Sequence, residues 1–255
     1  MQASPRPREP NPGVVSWSNL PIAMLHHVSN RRDWRDFQPF VIQEDTFRRF
    51  LDVLESSRRK TRTFRQLLDT EPASTDVILT FDDCGQHLLD FAVPELVKRG
   101  MNAVFYVPTS QIGGHNDWNV AQDKPRMDLM NEADLKELQR LGMEVGGHGH
   151  EHIRLAEQPA SDVLKQLAQS QDILTEILGQ PAVSMAYPYG SLPGQAQSVL
   201  SQVGMRWGCS IFSPNQAHHC LRRFIVHDGD THRSLKVKLH PVYSLYRRFT
   251  DLGKG

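Results

Sequence analysis

Short apolar runs alternate with amphipathic helical patterns along almost the whole chain, and this alternation restricts the fold more than any other feature. Strand-like runs occupy 22–28 (IAMLHHV), 76–83 (DVILTFDD), 102–108 (NAVFYVP) and 182–190 (AVSMAYPYG), with others at MEVGG, MRWGCSIF and LRRFIV. Helix-like segments at 44–57, 87–100, 131–142, 161–179 and 193–204 lie between them. In the first helical segment Phe47, Phe50, Leu51 and Leu54 share one face, and Asp45 suits the N-terminal end. Asn131 is placed as an N-cap; Gly100, Gly142 and Gly179 are placed as stops. A β-α-β-α order implies a mainly parallel sheet with helices outside, open or closed into a barrel. In such folds chemistry collects at the C-terminal ends of strands.

A chain of 255 residues can form one such domain, expected here over 17–255 behind a polar, proline-rich tail at 1–16. Lys and Arg number 29 and so do Asp and Glu, so no global basic bias suggests nucleic acid as a partner. Cys84, Cys209 and Cys220 fit neither a disulfide framework nor a CxxC knuckle and are read as reduced thiols. The start, MQASPRPREPNPG, lacks the apolar core of a signal peptide, and no apolar run approaches the ~20 residues of a membrane span. A cytoplasmic location is therefore expected.

Three strand ends are polar. In LTFDDCGQH the strand runs into two adjacent carboxylates, Asp82 and Asp83, which repel unless something compensates. In GGHGHEH, His148 and His152 stand four apart, so a turn brings both rings to one side while His150 points elsewhere. A divalent cation answers both observations. One carboxylate binds it, and its charge keeps the neighbouring acid ionised. Two histidines and one aspartate leave coordination positions open for water, as catalytic zinc-type sites require. In MAYPYG, Pro188 and Gly190 impose a tight turn that can aim a backbone N–H at a substrate oxygen.

TFDD, the H-x3-H of HGHEH and YPYG, in this order, resemble the motifs of the polysaccharide deacetylases, carbohydrate esterase family 4 with its NodB-homology domain. The resemblance runs from about residue 21 to 230. It implies a distorted (β/α) barrel of about seven parallel strands with outer helices. It also implies zinc, or another divalent transition metal such as Co2+ or Ni2+, and removal of acetyl groups from N-acetylated sugars. Carried over residue by residue, Asp82 matches the general base, and Asp83, His148 and His152 match the metal ligands. Tyr189 matches the residue whose backbone N–H completes the oxyanion hole. The common family arginine of the third motif is replaced by Ala186, and no C-terminal strand carries the usual acid histidine. The poly-N-acetylglucosamine deacetylase branch departs in the same two places. Its opening strand resembles AMLHHV, which aligns His26 with the general acid, and its PRIxV-like strand resembles LRRFIV, which aligns Arg223 beside the base. The implied partners are an N-acetylated glycan or lipid-linked sugar, in exopolysaccharide biosynthesis. Two alternatives stay open: hydrolysis of another C–N bond, a formamide or cyclic ureide, and a catalytically inactive glycan-binding relative. Retention of both acids and both histidines argues against the second.

Several residues carry two readings. Cys84 replaces the usual glycine after FDD; it is read as a small residue packed under the loop, or as a thiol tuning the metal, and cysteine resists positive φ. Trp118 is read as a sugar-stacking ring or as a lid or core residue. His87, His115, His150, His218 and His219 are read as solvated. The tail HRSLKVKLHPVYSLYRRFTDLGKG carries Arg233, Lys236, Lys238, Arg247 and Arg248 among apolar residues. It is read as a solvated helical face or as a peripheral membrane contact, which would place the protein at the inner membrane surface.

Overall fold

The computed structural model describes residues 15–31, 33–34, 39–120, 124–212 and 217–250. The tail expected at 1–16 lies outside these residues except for Val15 and Ser16, which hydrogen-bond to Pro72 and to the Trp17–Asn19 turn. The strands in chain order are β1 (Ile22–Leu25), β2 (His27–Val28), β3 (Val41–Ile42), β4 (Lys60–Arg62), β5 (Asp76–Phe81), β6 (Val104–Val107), β7 (Glu144–Gly147), β8 (Ser184–Ala186), β9 (Trp207–Ser210), β10 (Leu221–Arg222) and β11 (Phe224–Ile225). The main ladder runs β10-β9-β8-β7-β6-β5-β1-β11, every pair parallel, and β4 adds to the start of β5. Strands β10 and β11 are halves of one extended segment split at Arg223. One half pairs with β9 and the other with β1, so the sheet curls into a nearly closed barrel. Counting that segment once gives eight parallel strands. The expected number was about seven; β4 reads KTR, with no apolar residue to reveal it.

The helices are α1 (Glu44–Ser56), α2 (Ala92–Lys98), α3 (Asp117–Val120), α4 (Glu132–Arg140), α5 (Ala160–Leu178), α6 (Ala196–Gln202), α7 (His232–Lys238) and α8 (Pro241–Thr250). They wrap the barrel, and the two faces of each strand feed two cores. Ala23, Leu25, Val77, Leu79 and Phe81 pack outward against Phe47, Phe50, Leu51 and Leu54 of α1 and its neighbours. Ile22, Ile78, Val104, Tyr106 and Ala186 point inward, and Trp17, Phe64 and Trp207 plug the N-terminal end of the barrel with ring centroids 5.1–6.1 Å apart. Each fully buried Val, Leu, Ile or Phe among them contributes about 1.5–3 kcal/mol. Asn131 caps α4 in a reciprocal box with Asp134, and Gly179 ends α5 at φ 69°. The helix expected over 87–100 is broken into a 3-10 turn, Gln86–Leu89, and α2. Pro94 explains the break: its ring would clash with the carbonyl of Asp90, four residues back, in a continuous helix.

Candidate active site

The candidate catalytic and metal-binding side chains named from the sequence converge toward the C-terminal mouth of the barrel. Asp82 and Asp83 follow β5, His148 and His152 follow β7, Tyr189 follows β8, His26 follows β1, and Arg223 reaches in between β10 and β11. The period-two pleat decides which side chains face inward. Asp82 is in phase with Ile78 and Thr80, His26 with Ile22, and Arg223 with Leu221, so all three point into the barrel. His27 has the opposite phase and packs outside against Trp34 and His87, at centroid distances of 5.8 and 5.4 Å.

The two acids have different partners. Arg223 is fully buried and grips Asp82 in bidentate fashion, with Nη1 to Oδ1 at 2.6 Å and Nη2 to Oδ2 at 2.7 Å. Nη1 also donates to Thr80 Oγ1 at 3.0 Å, and Thr80 in turn donates to the Ala23 carbonyl at 2.8 Å. The guanidinium is thus fixed by both neighbouring strands. Burial would raise the Asp82 pKa, but Arg223 and His148 outweigh it and hold the carboxyl below its ordinary value. His26 Nε2 stands 3.8 Å from Asp82 Oδ2, with the Phe40 ring 4.5 Å away on centroids. Burial is the main influence on His26 and lowers its pKa despite both aspartates.

Asp83 Oδ1 instead faces two imidazoles, 3.5 Å from His148 Nε2 and 3.2 Å from His152 Nε2. Asp83, His148 and His152 are all buried, and one donor atom from each lies within 4.8 Å of the others. The residues fit a divalent cation on two grounds. Asp83 Oδ1 is buried and makes no hydrogen bond. His148 Nδ1 lies 2.8 Å from the Ala186 carbonyl, which can only accept, so the ring proton sits on Nδ1 and the Nε2 lone pair points at Asp83. Lone pairs converging on a carboxylate repel unless a cation or a proton lies among them. A proton competes for that place: burial disfavours charged His148, yet Asp83 and Asp82 more than compensate and its pKa rises.

Among the described residues, five non-glycine residues have positive φ, and four of them are Asp83 (72°), Cys84 (52°), His152 (54°) and Tyr189 (59°). Such conformations persist where the surroundings over-determine them, typically around functional sites. Cys84 adopts the positive φ that cysteine resists. Its thiol is buried, and burial beside two carboxylates pushes its pKa well up, so it packs as a protonated small residue. Tyr189 places its ring 4.8 Å from that of His152 and under Arg154, whose guanidinium carbon is 4.6 Å from the ring centre. Trp118, on α3, stacks on His152 with centroids 4.1 Å apart and planes 23° off parallel. Two further contacts escaped the sequence reading. Thr80 carries a signal, being a polar residue at an inward strand position two before Asp82; Phe40 lies in an irregular segment with none. Of the histidines expected to be solvated, His87 differs, with both ring nitrogens buried and its ring edge-on to Trp34 at 4.4 Å. His150 shares a hydrogen bond with Thr109 Oγ1 at 3.0 Å.

A profile of the polysaccharide deacetylase family matches residues 69–208, more than half of the chain. The chain belongs to the polysaccharide deacetylase family. It is a hydrolase of carbon–nitrogen bonds other than peptide bonds. The matched span holds Asp82, Asp83, His148, His152 and Tyr189, while His26 and Arg223 lie outside it. A curated relative, poly-beta-1,6-N-acetyl-D-glucosamine N-deacetylase of Staphylococcus aureus, is 22% identical over 211 residues, 76% of this chain and 70% of the relative. The fold is that of the Streptococcus pyogenes deacetylase PplD, solved in complex with acetate, at TM-score 0.74 and 20% identity over 91% of this chain and all of that one. IcaB from Ammonifex degensii matches at TM-score 0.67 and 20% identity, over 90% of this chain and 97% of its own.

Proposed function

We propose that this chain hydrolyses the N-acetyl amide of N-acetylhexosamine units in a glycan or glycan precursor, releasing acetate. A divalent transition-metal ion, with zinc the first candidate, would be held by Asp83, His148 and His152. The observation that carries this reading is the division of labour between adjacent carboxylates. Asp82 is gripped by Arg223 and turned toward His26, while Asp83 faces the Nε2 atoms of two imidazoles. When bound, the ion would polarise the acetyl carbonyl and make a nearby water easier to deprotonate. Asp82, kept ionised, takes a proton from the attacking water. The Tyr189 backbone N–H donates to the tetrahedral oxyanion, a contribution of a few kcal/mol for a fixed donor. His26 delivers a proton to the departing amine. The proton gained by Asp82 is passed on to His26, 3.8 Å away, so base and acid both return to their starting states after each turnover. The partly exposed rings of Phe40, Trp118 and Tyr189 offer flat faces for the apolar side of a sugar.

The name of the S. aureus relative makes β-1,6-linked poly-N-acetylglucosamine the first substrate to test. Acetate release should be abolished by a chelator and restored by zinc, cobalt or nickel. Asp83→Ala should copurify without metal. Asp82→Asn should keep metal and fold while losing about 10²–10⁴ in turnover, the usual worth of a general base. Near-normal acetate release by Asp82→Asn, or full activity in chelator, would refute the assignment.

A further inference from the structure

We infer that the C-terminal hairpin of α7 and α8 docks the enzyme on an anionic phospholipid surface. Val237, Val242 and Tyr246 are 53%, 60% and 59% exposed, more than any other exposed large hydrophobic side chain among the described residues. They are not scattered. Val242 and Tyr246 are four apart on α8 and share a face, while Arg233, Lys236 and Val237 follow an i, i+3, i+4 stripe of α7, with His240 just past its end. The same α7 residues line a shallow surface depression together with His232.

Charge identifies the partner. The whole chain is neutral, yet 231–250 contains five Lys and Arg and no Asp or Glu; Lys238 is neutralised by Asp230, which leaves Arg233 and Lys236 as the cations of the exposed α7 stripe. The nearest preceding acids are already engaged, Asp230 by Lys238 and Ser234, Asp228 by Gln43 and Thr46. Cations beside exposed aliphatic and tyrosine side chains suit a lipid headgroup layer, where the apolar part enters the acyl boundary and the cations meet phosphate. A nucleic acid would use the cations and leave the two valines idle. Among the described residues no helix is long and apolar enough to cross a membrane, so the contact is with a surface.

α8 lies along the seam of the barrel: Tyr243 and Arg247 line a cavity with Leu20, Pro21, Arg222, Arg223 and Phe224, and Arg247 donates to the Ile211 carbonyl, just past the C-terminal end of β9, at 3.4 Å.

Co-sedimentation of the full chain with vesicles tests this. Binding should be strong to vesicles of phosphatidylcholine mixed with phosphatidylglycerol, absent from pure phosphatidylcholine, and weakened by salt. Each cation removed should cost about five-fold in partitioning, so Arg233→Gln with Lys236→Gln should cost about 25-fold. Val242→Ser with Tyr246→Ser should also weaken binding, with salt sensitivity retained. Both pairs should deacetylate a soluble oligosaccharide at the wild-type rate, which also reports that they fold. Equal binding of wild type to both vesicle types overturns the proposal. So does loss in the charge pair with none in the apolar pair, the signature of a generic polyanion site. A dimer in vesicle-free solution that Val242→Ser with Tyr246→Ser abolishes would assign the face to a second copy and also overturn it.

Discussion

Asp82 and Asp83 are neighbours in the chain but not in chemistry, and Arg223 makes the difference. A buried carboxylate without its guanidinium is costly, and breaking a buried pair from one side typically costs about 3–5 kcal/mol. Arg223→Met is therefore expected to lower stability and to let burial raise the Asp82 pKa. Asp82 works as a base only when ionised, so the acid limb of the pH–rate profile should move to higher pH. Arg223→Lys should recover charge without the two-pronged grip and fall between the two. An unmoved acid limb in Arg223→Met would show that Arg223 does not set the state of Asp82. Much of this centre was legible: FDD and H-x3-H point to a cation, and strand parity orients His26 and Arg223 inward. Thr80, which anchors the guanidinium, has meaning only once β1, β5 and β11 are seen side by side. The acid–base geometry depends on such contacts across the ladder, and these leave little trace in a local motif.

Strand β7 must bring His148 and His152 to the mouth while lying very close to its neighbours. A Cβ on Gly146 would come within 2.7 Å of both the Ser184 carbonyl and the Tyr106 ring, and neither can yield freely inside the barrel. Gly146→Ala should destabilise the protein by about 1–3 kcal/mol, the usual cost of overpacking, and lower the melting temperature by several degrees. Gly194→Ala, where a new Cβ meets nothing within 4 Å, is the control and should leave melting unchanged. Equal melting of the two variants would deny that close approach shapes β7. At this scale periodicity located the long helices and the central strands, because α1, α4 and α5 each bury one apolar face. It failed where tertiary pairing or a single residue overrides pattern. The first strand is cut at His26, where the chain leaves the barrel and β2 pairs with β3 instead. Pro94, in the first turn of α2, keeps that helix from running back into the Gln86–Leu89 turn, and β4 is polar and visible only through its pairing with β5.

Folding buries titratable groups on both sides of the barrel wall, and this gives the whole molecule a pH-dependent stability. His27, outside the barrel wall but 1% exposed, has its pKa pushed down to about 3, chiefly by burial. His87 beside it is also held well below its ordinary value by burial. Unfolded, each would titrate near 6.5. Between about pH 6.5 and pH 3 the unfolded chain therefore binds protons that the folded chain refuses, so stability falls as pH falls through that window. Asp82 and Asp83, both with lowered pKa values, add a loss of the same sign at the acid end. His148 opposes them: its raised pKa favours the folded state below pH 6.5, an advantage lost as pH rises through the folded value. For His27 alone the full shift is worth on the order of several kcal/mol. Urea unfolding followed from pH 7 to pH 4, with chelator present so that metal loss does not enter, should show a steadily falling midpoint. His27→Leu keeps an apolar body against Trp34 and His87 and removes one of the refused protons, so its midpoint should fall less steeply over the same range. Parallel curves for the two proteins would mean that the buried ring finds room for its proton in the folded state.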